Sequence, residues 1–112
     1  MAAFAAGAVV LVRFPFSDLS QTTLRPAVVI ADAGRGDWVL CQITSKGYGD
    51  PAAITLEQSD FQSGSLRVTS FARPLKLFTA SGAIIVNQAG MLNDAALRQI
   101  IDAIITALQR RT

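Results

Sequence analysis

Residues 7–30 read GAVVLVRFPFSDLSQTTLRPAVVI, two apolar runs with a polar segment between them. The runs at residues 9–14 and 27–31 are short and rich in β-branched valine, a composition typical of buried strands. The polar residues 17–23 include turn-forming side chains and predict a loop. This part of the chain therefore predicts two strands joined by a loop, with Arg25 at the entrance to the second strand.

The strand pattern continues through the middle of the chain. A glycine-containing turn at residues 32–37 predicts a hairpin between the second strand and the next one. Residues 58–64 are read as a connection, and Arg73-Pro74 as a break between two strands. The further predicted strands are residues 38–43, 53–56, 65–71, 75–78 and 84–86.

The carboxyl-terminal segment has a different periodicity, typical of an amphipathic helix. Asn93 is suited to cap its first turn, and Asp94 complements the helix dipole there. Short strands followed by one such helix predict a mainly β (β-rich α+β) domain, a small and strongly bent sheet or barrel that the helix covers on one side. The apolar stripe consists of Leu97, Ile100, Ile101, Ile104, Ile105 and Leu108.

Length and charge limit the function classes. A chain of 112 residues corresponds to one domain, residues 1–112, and its 51% hydrophobic content excludes a disordered protein. The net charge is +2, and eight arginines stand against two lysines. Arginine is the better residue for bidentate contact with phosphate, so this balance permits a nucleic-acid partner without requiring one.

Two residue types are informative by their scarcity. Histidine is absent, which removes histidine acid–base catalysis and most zinc sites, and no carboxylate spacing indicates a metal site. Cys41 is the single cysteine and lies in a strand-like run, where it is read as a small buried hydrophobe. No segment has the pattern of a signal peptide or the length of a membrane span, so we expect a cytoplasmic protein without a cofactor.

Two positions carry the candidate chemistry. The guanidinium of Arg25 could hold a phosphate and stabilise the charge that develops on it during reaction, or it could form a salt bridge with a carboxylate such as Asp18. Thr44 and Ser45 lie where an apolar strand ends in a loop. Their hydroxyls could bond a phosphate oxygen, or they could form a turn with their own backbone.

Other candidates would extend such a site. Tyr48 could stack on a base or pack against the protein, because loop aromatics do both. The remaining basic side chains could line a channel for a polynucleotide backbone or form a scattered, solvated set. They are Lys46, Arg67, Arg73 and Lys76.

The order of these segments resembles the PemK/MazF family of bacterial toxins. The matching pieces are GAVVLV at 7–12, FPFSDL at 14–19, RPAVVI at 25–30 and QITS at 42–45. The tail AGMLND at 89–94, which leads into the amphipathic helix, is similar to that family's ending. The resemblance covers nearly the whole chain in order.

The resemblance implies a fold and an activity. The fold is a small SH3-like, MazF-like barrel with a terminal helix, which assembles as a homodimer. The activity is that of a type II toxin, a metal-independent endoribonuclease that cuts single-stranded RNA through the 2′-hydroxyl and leaves a 2′,3′-cyclic phosphate and a 5′-hydroxyl. The partner is a cognate antitoxin whose flexible acidic segment covers the RNA-binding surface.

The resemblance also assigns roles to residues. The arginine of the Arg-Pro pair is Arg25 and the hydroxyl of the Ile-Thr-Ser stretch is Thr44, and both are expected to be catalytic. The resemblance also puts the loop from Pro15 to Leu24 at the border of the substrate channel. Together with the candidates named above from the residues themselves, the expected substrate-binding residues are Ser17, Ser45, Lys46, Tyr48 and Arg73.

A non-catalytic binding module on the same barrel is the alternative. It would poison DNA gyrase or bind RNA without cutting it. Gyrase poisons of this fold act through the terminal helix, with exposed aromatic contact residues. The end ALQRRT at residues 107–112 contains no aromatic residue, which disfavours that alternative.

Overall fold

A single antiparallel sheet dominates the computed structural model, which describes residues 4–15, 22–46 and 49–110. Within these residues the sheet has seven strands in the order β4-β6-β3-β2-β1-β7-β5. The strands are β1 Ala8–Pro15, β2 Thr22–Gly34, β3 Asp37–Thr44, β4 Ile54–Leu56, β5 Phe61–Gly64, β6 Ser70–Ser81 and β7 Ile85–Leu92, and one helix, α1, spans Asp94–Gln109. The mainly β prediction is confirmed: the sheet curls into a half-barrel, and the helix follows it.

Each face of the sheet carries its own core, because successive side chains of a strand point to opposite faces. The helix-side core contains Val9, Val28 and Cys41, and α1 adds Ile100 and Ile104 to it. The far core lies on the other face and contains Val10, Val12, Ala27, Leu40 and Trp38. The central strands are therefore apolar on both faces, as the continuous valine runs of the sequence predict.

Asn93 fixes the start of α1. Its side-chain oxygen accepts a hydrogen bond from the Ala96 N–H at 2.9 Å, which is the predicted N-cap, and its amide nitrogen donates to the Ser59 carbonyl at 3.0 Å. The same residue thus caps the helix and ties it to the connection between β4 and β5. No helix of the described residues is long and apolar enough to cross a membrane.

The predicted apolar stripe of α1 is only partly covered. Ile100 and Ile104 are buried, whereas Ile105 and Leu108 are 45% and 71% exposed. The helix packs on β6 and β4 through the face of Ile100 and Ile104, and Ile105, next to the buried Ile104, points away from that face.

β2 and β3 form the predicted hairpin, with a tight turn at its tip. Arg35 and Gly36 occupy this turn with φ of 58° and 82°. Positive φ at both central residues is the requirement of the two-residue turns whose twist matches that of the strands. The hairpin register runs from Gly34 opposite Asp37 to Ala27 opposite Gln42, with two irregularities on the way.

Two strand predictions were wrong. Residues 65–69 are not a strand, and β6 instead runs from Ser70 to Ser81 straight through Arg73-Pro74. Pro74 is tolerated because the register between β3 and β6 shifts there, so no regular ladder bond is lost.

The predicted connection at residues 58–64 is also more ordered than expected. It contains one 3-10 turn, Gln58–Asp60, and the strand β5. β5 approaches β7 so closely that a Cβ at Gly64 would overlap the carbonyl oxygen of Ala89. The two strands can pair here because Gly64 lies opposite Gly90, and neither residue has a side chain. The sequence of either strand alone does not show that these two glycines meet.

Candidate active site on the open end of the sheet

Arg25 and Thr44 lie on adjacent strands at the end of the sheet away from the hairpin tip. The pairing of β2 with β3 ends with Ala27 opposite Gln42, and Arg25 and Thr44 each lie two residues beyond that pair on their own strand. Because successive side chains of a strand alternate in direction, residues two apart point to the same face. Both side chains are therefore on the face of the far core, opposite α1, and both are half-buried.

Among the described residues, the far core covers this face toward the hairpin tip and does not extend to the other end of the strands. Toward the hairpin tip it is filled by the far core, where Phe4 packs edge-on against Trp38 with ring centroids 5.4 Å apart. Past Ala27 the buried apolar side chains give way to Arg25 and Thr44. A cation and a hydroxyl thus share a partly accessible surface that a packed sheet supports.

The row of side chains continues across β6 and β4. Phe71 lies opposite Thr44, and Thr55 lies opposite Phe71. We call Arg25, Thr44, Phe71 and Thr55 the site row. Phe71 was not among the residues predicted for the site. It was read only as the end of a strand, because its position beside Thr44 depends on a long-range register that the sequence does not display.

The hydroxyl of Thr44 is held by its own loop. Its Oγ1 accepts a hydrogen bond from the Lys46 N–H at 3.1 Å and lies 3.4 Å from the Lys46 carbonyl oxygen, to which it can donate only a long bond. The turn interpretation of Thr44 is therefore correct, and it is compatible with a role at the site. The backbone N–H fixes the oxygen, while the weakly held proton can turn to a stronger acceptor such as a phosphate.

The other predicted site residues are distributed unevenly. Ser45 and Lys46 are exposed and follow directly after Thr44. Ser17 and Tyr48 lie outside the described residues. Arg73 is engaged in an ion pair, since its Nε donates to Asp50 Oδ2 at 2.8 Å.

The Arg73–Asp50 pair links β6 to the loop that follows Thr44. Asp50 Oδ2 takes the bond from Arg73, and its Oδ1 accepts the Ala52 N–H at 2.9 Å. The hydrogen bond from Arg73 is the main cause that lowers the pKa of the Asp50 carboxyl from 3.8, and the bond from Ala52 lowers it further. Arg73 thus fixes the far end of the loop that begins at the site row.

We expect Asp50→Asn to weaken the fold at neutral pH and to matter less in acid. A lowered pKa means that the folded state favours the charged carboxylate, so the stabilisation is present above 3.8 and is lost as the pH falls through the lower pKa of the folded protein. Urea unfolding of both proteins across this range measures the difference. Asp102→Asn, an exposed carboxylate on α1, is the control, and a difference independent of pH would contradict the role of the ion pair.

Cys41 is not a nucleophile of this site. Burial raises the pKa of its thiol to about 12, against a smaller lowering by a hydrogen bond with the Arg73 backbone, so the thiolate is negligible near neutrality. It is buried, as predicted, and belongs to the helix-side core. Among the described residues no group of three or more aspartate, glutamate and cysteine side chains could hold a metal ion.

The model of the PemK-like, MazF-like toxins of type II toxin–antitoxin systems matches residues 5–108 of the chain. No curated protein matches the sequence. Among solved structures, a MazE–MazF complex from Deinococcus radiodurans is 19% identical, covers 99% of this chain and 100% of its own, and superposes with a TM-score of 0.79.

Two mycobacterial structures are also similar in fold. An endoribonuclease in complex with its cognate antitoxin from a mycobacterial species is 19% identical, with a TM-score of 0.72 and coverage of 100% of this chain and 99% of its own. The Mycobacterium tuberculosis toxin MazF-mt6 is 13% identical, with a TM-score of 0.67 and coverage of 92% and 99%. At these identities the likeness shows the shared fold.

Proposed function

Because the chain belongs to the PemK-like, MazF-like family of type II toxins, we propose that it is an endoribonuclease that cuts single-stranded RNA in the cytoplasm without a metal ion. The observation that supports the proposal is that Arg25 and Thr44, each two residues beyond the Ala27–Gln42 pair, lie on the same face of adjacent strands. The two residues are 19 positions apart in the chain, yet they lie on neighbouring strands. A phosphodiester is a group that a guanidinium and a hydroxyl on one face can hold together.

The substrate's own 2′-hydroxyl is the nucleophile in this proposal. The 2′-hydroxyl gives its proton to water as its oxygen forms a bond to the adjacent phosphorus. The bond from phosphorus to the 5′-oxygen breaks, and the departing oxygen takes up a proton from water, so that no net proton is consumed. The products are a 2′,3′-cyclic phosphate and a 5′-hydroxyl. The protein therefore needs no nucleophile of its own, which agrees with a buried thiol at Cys41 and a chain without histidine.

Each residue of the pair has a distinct task. The Arg25 guanidinium offers two parallel N–H donors to the non-bridging oxygens, whose charge grows in the transition state. The Thr44 hydroxyl, turned away from the Lys46 carbonyl, donates to a phosphate oxygen and holds the phosphate in line for attack. Lys46 and Ser45 follow on the exposed strand end and contact the neighbouring backbone phosphates.

The test is a cleavage assay on a long RNA with free EDTA. We expect discrete cuts in single-stranded regions, with a cyclic phosphate on one side of each cut and a 5′-hydroxyl on the other, as determined by end-specific ligation and phosphorylation. A folded, antitoxin-free protein that binds RNA and releases it uncut would refute the nuclease and leave a non-catalytic RNA-binding module. Inhibition of DNA gyrase in a relaxation assay would instead indicate a gyrase poison.

The assembly we propose is a homodimer that an antitoxin silences. Antitoxins are bound in the solved complexes of similar fold. A flexible acidic segment would compete with RNA for the cations of the site, Arg25 and Lys46. A second copy of the chain would cover apolar side chains that are otherwise exposed on β6 and α1, among them Leu75 and Leu108.

A further inference from the structure

Phe71 is an aromatic side chain whose placement the packing of the domain does not account for. It is half-buried, and within the described residues it belongs to neither the helix-side core nor the far core. Its neighbours on β6, Ser70 and Ala72, are both buried. Because side chains alternate along a strand, Phe71 points to the opposite face from these two, the face of the site row.

The partners of Phe71 on both sides confirm this direction. Across β4, Ile54 and Leu56 are buried with Ala72 and Ser70, while Thr55, opposite Phe71, is exposed. Across β3, Phe71 lies opposite Thr44. An aromatic ring is therefore the next side chain after the Thr44 hydroxyl, at the spacing of about 5 Å between paired residues.

We propose that Phe71 stacks on the unpaired base next to the scissile phosphate and so positions the substrate for the Arg25–Thr44 pair. The proposal rests on the proposed function, since it assigns the base contact of that same site. If a phosphate binds at Thr44, the base of the attached nucleotide reaches the next side chain of the row, which is Phe71. The apolar face of the Phe71 ring can stack on that base. Thr55 beyond it is too short to compete for the base.

The apolar ring of Phe71 determines which kind of nucleic acid this contact favours. Phenylalanine has no polar atom, so it reads no hydrogen-bonding edge, and every base has a face on which it can stack. A base within a duplex has both faces covered by its neighbours and cannot offer one. Phe71 therefore selects for single strands and contributes affinity, while the identity of the base must be read elsewhere.

The test compares Phe71→Leu with Phe71→Trp. Binding is measured with a version of the cleaved oligonucleotide that carries 2′-deoxyribose at the cut, so that no reaction intervenes. We expect Phe71→Leu to weaken binding and raise KM about tenfold, with a much smaller change in kcat, because an aliphatic side chain packs but does not stack. Phe71→Trp should restore affinity. Val86→Ala, which changes an exposed apolar residue on β7 away from the row, is the control and should bind as the parent does.

Two further measurements separate stacking from a merely structural role. The parent protein should bind an oligonucleotide that lacks the base beside the cut about as weakly as Phe71→Leu binds the complete oligonucleotide. When Phe71→Leu is combined with the oligonucleotide that lacks the base, the affinity should fall no further, because both changes remove the same contact. RNA should also quench the fluorescence of Phe71→Trp, whereas the natural Trp38, 8% exposed in the far core, should respond little.

The outcomes are distinct. If Phe71→Leu binds as tightly as the parent, or if the two losses are additive, the stacking role is wrong and the nuclease stands. If Phe71→Leu unfolds, Phe71→Trp and the oligonucleotide lacking the base still decide the matter on a folded protein. If the parent neither binds nor cuts RNA, the proposed function itself fails.

Discussion

Arg25→Ala is expected to lower the rate of RNA cleavage by about a thousandfold while the protein stays folded. The guanidinium is the charged hydrogen-bond donor of the site row. A charged donor of this kind contributes the largest part of the stabilisation of the negative charge that develops on the phosphate in the transition state. Arg25→Lys should recover only part of the loss, because an ammonium lacks the paired donors that fit two phosphate oxygens. Single-turnover cleavage of a labelled oligonucleotide measures both.

Arg13→Ala is the matched control for this experiment. On β1, Val12 lies opposite Arg25 and the next residue, Arg13, lies opposite Leu24. Because successive side chains of a strand point to opposite faces, Arg13 points to the face opposite that of Arg25. It is exposed, and its loss removes the same charge from the same end of the sheet. If the two variants lose activity equally, a general electrostatic attraction for RNA explains the effect and the assignment of Arg25 is wrong.

Thr44→Val is expected to reduce kcat by about ten- to a hundredfold. Valine keeps the branched shape and the strand preference of threonine and removes only the hydroxyl, so the change measures one hydrogen bond to a charged group. Thr44→Ser keeps the hydroxyl and should retain most of the activity. The Lys46 N–H that loses its acceptor is near solvent and can bond water instead.

Thr55→Val makes the same chemical change in the same row, on the other side of Phe71, and should leave kcat unaltered. A comparable loss in both variants would mean that the row is damaged as a whole. Unchanged activity in Thr44→Val would mean that Arg25 acts with a different partner.

The sequence predicted those elements whose pattern is local. The valine runs of β1 and β2, the hairpin to β3 and the cap at Asn93 all follow from residue types within one segment, and the structure contains each of them. β6 was missed because a proline normally ends a strand, and only the shift in its pairing with β3 removes that conflict. β5 was missed because it depends on the contact between Gly64 and Gly90 from distant segments.

The candidate site divides in the same way. Arg25 and Thr44 were named from residue type and position, the family resemblance implied their roles, and the structure has both on the same face of adjacent strands. Phe71 could not be named, because nothing near it in the chain indicates which residue it faces. Arg73 was expected at the substrate, and the structure shows that it also forms an ion pair with Asp50, which holds the loop after Thr44.

The turn at Arg35 and Gly36 has an influence that reaches the opposite end of its two strands. Arg25 and Thr44 belong to the arms of one hairpin, so the number of residues in the tip and the two irregularities along the arms together determine which residues face each other. Adding a single residue there would slide one arm past the other and turn the threonine toward the helix, unless a bulge absorbed the extra length. The relative position of Arg25 and Thr44 thus depends on a short turn at the far end of their two strands.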